Sequence, residues 1–132
     1  MLYCLDTNII IDLFRNDLGV KKKIEELEQQ QVTLCLTPII LCELWQRAYL
    51  APQQKNPKEL LITFVETITT LDFTEESCRL FGEIYAALKK QGKQTQEPDL
   101  MIASICIAHN AVLVTKNNKD FANIKDLKFV VW

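Results

Sequence analysis

Three carboxylates interrupt strongly apolar stretches of this chain, and their types and spacing frame the chemistry open to it. Asp6 follows Leu2-Tyr3-Cys4-Leu5, Glu43 sits within Ile39-Ile40-Leu41-Cys42-Glu43-Leu44-Trp45, and Asp99 precedes Leu100-Met101-Ile102-Ala103. An ionised carboxylate at the edge of a core is costly unless a cation or hydrogen-bond donors satisfy it. Acids that converge from distant parts of a chain make a cradle for a hard divalent cation, which prefers oxygen ligands. Each acid also has a structural use of its own. Asp6 can cap a helix beginning near Asn8, Glu43 can pair with Arg47 one turn on, and Asp99 can sit at a helix N-terminus. Two or three such carboxylates with a side-chain amide suit Mg²⁺ or Mn²⁺. One or two of these ions can activate a water, align it with a phosphodiester and stabilise the leaving oxygen. Acids brought so close together repel one another when no cation is present, which raises at least one carboxyl pKa.

Other chemistries lack their residues. The one histidine, His109, ends an apolar helical stretch in Ala108-His109-Asn110-Ala111 and reads as a helix-terminal cap. One histidine so placed argues against acid–base cleavage of RNA by paired histidines. The chain has three glycines, Gly19, Gly82 and Gly92, and none of them builds a phosphate-cradling G-x-G-x-x-G or P-loop. A G-x-S-x-G nucleophile elbow is also absent. A receiver-type phospho-acceptor domain needs a pair of acids directly after the first strand, where only Asp6 stands here.

The elements that must position these acids alternate along the chain. Residues 2–5 are continuously apolar, as a strand buried on both faces would be. A helical pattern runs from Asn8 to Phe14, and Val20, Ile24 and Leu27 mark a second helix that ends in the polar Glu28 to Gln31. Val32 to Leu36 reads as a strand, and Pro38 opens a helix to about Leu50. After a loop over Ala51 to Pro57, an amphipathic stripe of Leu60, Leu61, Phe64, Val65 and Ile68 predicts a helix. A short strand near Thr70 to Asp72 precedes a helix marked by Cys78, Phe81, Ile84, Tyr85 and Leu88 and terminated by Gly92. Pro98 opens a nearly all-apolar helix to about Ala108, which places it at the centre of the fold. Val112–Val114 and Phe129–Val131 complete the strands. Such alternation implies a parallel sheet covered on both faces, with ligands beyond the carboxyl ends of its strands. Asp6 and Thr115-Lys116-Asn117 fall at such ends, so all these polar groups are expected on one edge.

Length and composition agree with a single domain over residues 1–132, with a 48% hydrophobic and 24% charged content. No window provides a membrane span and no basic leader suggests secretion. Cys4, Cys35, Cys42, Cys78 and Cys106 are odd in number and without C-x-x-C spacing, which predicts reduced core thiols in a cytoplasmic protein. Trp45 and Tyr49, one turn apart, are expected in the core, with a place in a partner groove as the alternative. The net charge of −2 weighs against a nucleic-acid partner. Setting aside Asp6, Glu43, Glu97 and Asp99 leaves 15 basic against 13 acidic side chains, a balance of +2. Lys21-Lys22-Lys23 reads as a solvated helix face. Lys89-Lys90-Gln91-Gly92-Lys93 leads into the Asp99 segment and suits phosphate contact.

Taken together, the blocks resemble a known family. Leu5-Asp6-Thr7-Asn8-Ile9-Ile10-Ile11-Asp12 looks like the opening signature of PIN-domain nucleases, specifically the VapC-type toxins of prokaryotic type II toxin–antitoxin pairs. Thr37 to Leu44 is similar to the second motif, Gly92 through Asp99 to Ser104 to the third, and Val114 to Phe121 to the fourth. All four occur in order and span essentially the whole chain. The resemblance implies a PIN-like three-layer α/β/α domain with a central, mostly parallel sheet. It implies a Mg²⁺- or Mn²⁺-dependent endoribonuclease with RNA as substrate, a cognate antitoxin and a homodimer. Asp6, Glu43 and Asp99 fall on the metal-binding acids, and Asn117 falls where members carry Asp or Asn. Glu97 lies where many members have a further acid. Thr7 and Thr115 would support the acids by hydrogen bonds, and Asn8 would do likewise or cap the first helix. Two alternatives stand beside this one. The first is a PIN-fold RNA-processing nuclease without antitoxin. The second is a non-catalytic PIN-fold binding or scaffold module, motivated by Asn117 in place of an acid.

Overall fold

A computed structural model of the chain describes residues 1–132, the side chain of Gln53 excepted. In chain order its elements are β1 (Leu2–Leu5), α1 (Thr7–Phe14), α2 (Leu18–Gln29), β2 (Thr33–Leu36), α3 (Pro38–Leu50) and α4 (Pro57–Thr67). They continue with β3 (Thr69–Thr70), α5 (Glu75–Lys90), α6 (Glu97–Ala108), β4 (Ala111–Thr115), α7 (Asn118–Phe121) and β5 (Phe129–Val131). The strands form one parallel sheet in the order β3-β2-β1-β4-β5. β1 lies at its centre, with Cys4 opposite Cys35 on one side and Leu113 on the other.

The chain moves from β1 to one side for β2 and β3, and to the other for β4 and β5. The switch between the two directions opens a crevice beyond the carboxyl ends of β1 and β4, the place where parallel α/β sheets collect ligands. The ladder itself reaches the crevice, because the Asp6 N–H donates to Val114 O at 2.9 Å. β4 is buried at all five positions, as a continuous apolar run requires when helices cover both faces. α6 is buried around Leu100, Ile102, Ala103, Ser104, Ile105 and Cys106. Its one interior hydroxyl, on Ser104, donates back to Leu100 O at 2.7 Å. α3 starts at Pro38 with Thr37 as its cap, whose hydroxyl accepts from Ile40 N at 3.2 Å. These two helices carry Asp99 and Glu43 toward the crevice.

Several expectations shift. α1 begins at Thr7 and its cap is Asp6, not Asn8. β3 is only the two residues Thr69–Thr70 at a sheet edge, where little packing extends it. Cys4, Cys35 and Cys106 are core thiols, but Cys42 and Cys78 are exposed. Cys78 lies one position around α5 from the inward stripe that starts at Ser77 and ends at Leu88, so the helix turns it outward. Tyr49 is 64% exposed although Trp45, 6.0 Å away between ring centroids, packs against the core. The Tyr49 ring instead meets Lys58 Nζ at 4.1 Å from α4. Among the described residues no helix is long and apolar enough to cross a membrane.

Candidate active site

Asp6 is held from two sides. As the cap of α1 its Oδ1 accepts from the Thr7 N–H at 2.9 Å, and its Oδ2 accepts from the Thr115 hydroxyl at 2.7 Å. Thr115 is fully buried at the end of β4, so the bond joins two adjacent strands across the crevice. Burial pushes the Asp6 carboxyl above its ordinary 3.8, while the Thr115 and Thr7 hydrogen bonds pull it back down. Thr7 serves a second acid as well, donating from its hydroxyl to Glu43 Oε1 at 2.7 Å. One residue thus orients both carboxylates, through its backbone toward Asp6 and its side chain toward Glu43. The alternative use of Glu43, pairing with Arg47, is not among the ion pairs of the described residues.

Asp99 stands in the first turn of α6 and is only part-buried. Its carboxyl is pushed up to about 7, first by burial, then by the charges of Asp120 and Asp6, a hydrogen bond with Asp120, and the charge of Glu43. Four acids, one just beyond β1 and the others on α3, α6 and α7, therefore share one electrostatic environment. Asp6 and Glu43 meet at Thr7, and both of their charges act on Asp99.

Asp120 is the member that sequence reasoning missed. It sits on the one-turn α7, anchored by Phe121 at 1% exposure, and Asn117 Nδ2 donates to its Oδ2. Asn117 was expected to help hold metal or water. In the structure its side chain steadies Asp120, and its backbone N–H donates to the Thr115 hydroxyl at 3.1 Å. That hydroxyl links Asn117 to Asp6, so the fourth block is wired into the first. The available signal was the three-residue step from Asn117 to Asp120, ending against an apolar Phe121, which sets an acid at the foot of a short helix.

Glu97 and Asn8 are placed differently. Glu97 is exposed and two positions from Asp99 on α6, a spacing that does not share a helix face. It lines a cavity at the start of α6 that Asp120 lines as well. Asn8 is exposed on α1, in the turn that Asp6 already caps. His109 is the C-terminal cap residue of α6, with its Nε2 at 2.9 Å from Asp72 O, away from the acids. Lys116 forms an ion pair with Asp12 and fastens the end of β4 to α1.

The donor set is carboxylate and hydroxyl oxygen throughout, which suits a hard cation. Among the described residues no three His, Cys, Asp or Glu side chains close into a metal cage. An open arrangement of this kind fits Mg²⁺ or Mn²⁺, which keep several waters and take one or two carboxylates directly. After burial, the charges of Asp120, Asp6 and Glu43 add to the rise at Asp99, and a cation among these acids would offset that repulsion.

Comparison with known proteins agrees with this geometry. Residues 3–127 match the PIN domain family. The chain is 34% identical over 133 residues to ribonuclease VapC1 of Haemophilus influenzae, spanning 100% of this chain and 98% of that protein. It is 31% identical over 139 residues to ribonuclease VapC2 of Rickettsia felis, again spanning 100% and 98%. The crystal structure of VapBC2 from Rickettsia felis bound to a promoter DNA fragment superposes with a TM-score of 0.90 at 29% identity, covering 100% of this chain and 99% of that one. A domain match over nearly the whole chain, with full-length ribonuclease relatives above 30% identity, assigns the chain to the PIN-domain family as a VapC-type ribonuclease.

Proposed function

We propose that the chain hydrolyses RNA phosphodiester bonds as a Mg²⁺- or Mn²⁺-dependent endoribonuclease, the toxin of a type II toxin–antitoxin pair. The observation that carries the reading is the convergence of Asp6, Glu43, Asp99 and Asp120 beyond the ends of β1 and β4. Asp6, Asp99 and Glu43 would hold the ion, with Asp120 beside Asp99. When bound, such an ion supplies water activation, alignment of the reacting groups and neutralisation of charge on the phosphodiester. The chain supplies preorganisation. Thr7 and Thr115 fix both oxygens of Asp6, Thr7 also fixes Glu43, and Asn117 fixes Asp120. Asp99 holds a proton near neutral pH while its acidic neighbours are uncompensated. The scaffold alternative loses its motive, because Asp120 supplies the negative charge that Asn117 lacks.

A cognate antitoxin is the proposed partner. The groove between α1, α3 and α4, a cavity of about 610 Å³, presents Phe14, Leu44 and Leu60 with Arg15 and Arg47 at hand. It suits an apolar helical segment. Tyr49, Leu50 and Ile62 remain exposed on α3 and α4 and support a homodimer, which sedimentation of the purified protein tests. Three buried free thiols agree with a cytoplasmic setting.

The deciding experiment is cleavage of total RNA by purified protein in Mn²⁺, Mg²⁺ and EDTA, beside the Asp99→Asn variant. Cleavage should require the metal and be lost in the variant. Wild-type rates from Asp99→Asn would overturn the mechanism.

A further inference from the structure

A second cavity, of about 670 Å³, opens beside the acid cluster where α5 ends and α6 begins. Tyr85 and Lys89 of α5, Lys93 of the connecting turn, Gln96 and Glu97 at the start of α6, and Asp120 of α7 line it. The chain reversal that builds it is local. Gly92 adopts φ +69°, its N–H donates to Lys89 O at 3.1 Å, and the Lys93 N–H returns to Leu88 O at 2.9 Å. This is the glycine-dependent end of a helix, and it folds Lys93 back toward Lys89 on the wall of one cavity. Neither lysine joins an ion pair among the described residues. Tyr85 lies near-parallel to Phe81, at 24° and 6.1 Å, and is 41% exposed.

The cavity is therefore graded. Lys89 and Tyr85 line it from α5 and Lys93 from the connecting turn, while Glu97 lines it from α6. Asp120, whose charge acts on Asp99, lines it as well. We infer that this cavity seats one unstacked nucleotide of a single-stranded RNA segment beside the scissile bond. Its base lies on Tyr85, its phosphate lies between Lys89 and Lys93, and the next phosphodiester of the strand reaches the acid cluster. The inference rests on the ribonuclease reading and adds Tyr85, Lys89 and Lys93 as the residues that seat the substrate beside the acids. An aromatic face beside paired cations recognises a splayed-out base and its phosphate, whereas the bases of an A-form duplex stay stacked and out of reach. A peptide segment of a protein partner finds its apolar surface elsewhere, in the groove between α1, α3 and α4.

The test uses the full chain and a short single-stranded RNA containing a cleaved site. In the Asp99→Asn background, Lys89→Ala with Lys93→Ala should lower the slope of log Kd against log salt by about 1.4, since each single-strand phosphate contact contributes about 0.7. In the otherwise unaltered enzyme the same pair should raise KM by about 10-fold, with the effect falling on KM rather than kcat. Tyr85→Leu should raise KM by about 10-fold without changing the salt slope, and Tyr85→Phe should restore binding. A fully paired RNA of the same sequence should respond to none of these changes. An unaltered salt slope and KM in the lysine and tyrosine variants would overturn the inference, while the parent's cleavage of RNA upheld the ribonuclease reading. Weakened antitoxin binding with an unaltered KM would also overturn it, by assigning the cavity to the protein partner. Absence of cleavage by the parent would instead sink the ribonuclease reading, and the salt slope would still decide the cavity.

Discussion

The two halves of the acid cluster are built on opposite plans. At the β1/β4 half, Asp6 receives a donor on each oxygen, and Glu43 shares one of those donor residues. At the α6/α7 half, burial and then the neighbouring charge of Asp120 push the Asp99 carboxyl up to about 7. In the first half the protein hydrogen-bonds both Asp6 oxygens, which offsets part of the burial that raises that carboxyl. The second is left in deficit, and a cation is the natural complement of that deficit. A site divided in this way has a fixed edge on which to aim ligands and a responsive edge that reports whether charge has been neutralised.

Asp99→Asn strikes this division hardest. Activity should fall by about 1000-fold or more in kcat/KM, because the acids act as a unit. The metal-free variant should at the same time be more stable than wild type, by about 1–2 kcal/mol once the shift is discounted for solvent screening. Thermal melts in EDTA and in excess Mn²⁺ check the second half of the statement. Wild type should gain stability from Mn²⁺ by mass action, whereas the variant should start higher and gain less. Equal gains would remove Asp99 from the ligand set.

Thr115→Val tests the other half with the opposite sign. Removing the hydroxyl leaves Asp6 Oδ2 buried and without its donor, at a cost of about 1–3 kcal/mol. Activity should drop about 10- to 100-fold through loss of orientation, as for other partners of metal ligands. Loss here with a gain at Asp99 would establish the asymmetry. If metal-free Thr115→Val were as stable as wild type by denaturant titration, the β1/β4 half would not be self-sufficient.

Much of this architecture was legible in the sequence, for reasons that differ by element. The central strands and α6 are almost wholly apolar, and such runs have one reading when they alternate with helices. Pro38 and Pro98 marked their helix starts because an N-terminal turn loses nothing by lacking an N–H. Asp6, Glu43 and Asp99 stood out because each is an acid set in apolar surroundings. Asp120 did not. It sits among Lys119, Asn118 and Asn117, where an acid looks like solvated surface, and only the fold turns it toward Asp99. Glu97 was attractive by proximity in sequence, yet the helical period carries it off the Asp99 face. Cys42, Cys78 and Tyr49 met the same limit. An apolar type on an amphipathic helix does not fix which side it occupies when neighbouring positions compete for the core.

Acidity offers a gentler probe of the responsive half. The Asp99 carboxyl titrates near 7 in the folded chain and near 3.8 when exposed. Between these values the folded state binds a proton that the unfolded state has released. Its contribution to stability is therefore present toward the acid end and is lost as pH rises through about 7. Metal-free protein should melt at a higher temperature near pH 5.5 than near pH 8 on account of this group. Excess Mn²⁺ at pH 8 should narrow the difference. A melting temperature independent of pH in EDTA would mean that the half-site is not in deficit.

A finer change separates the two acids that create the deficit. Asp120→Asn removes the charge that acts most strongly on Asp99 after burial itself, while the Asp6 and Glu43 charges remain. The Asp99 carboxyl should move back toward 3.8 without reaching it, because its burial is unchanged. Followed by the carboxyl resonances of labelled protein in EDTA, the Asp99 midpoint should lie between the wild-type value and that of an exposed aspartate. The acid-side gain in melting temperature should shrink in step. The amide oxygen introduced by the substitution can still accept from Asn117 Nδ2, so α7 keeps its anchor at Phe121 and the change stays electrostatic. The Asp6 midpoint should hardly move, since burial and the Thr115 and Thr7 hydrogen bonds outweigh the charge of Asp120 there. An Asp6 midpoint that fell as far as that of Asp99 would mean the two halves titrate as one, and the division between a satisfied edge and a deficient one would not hold.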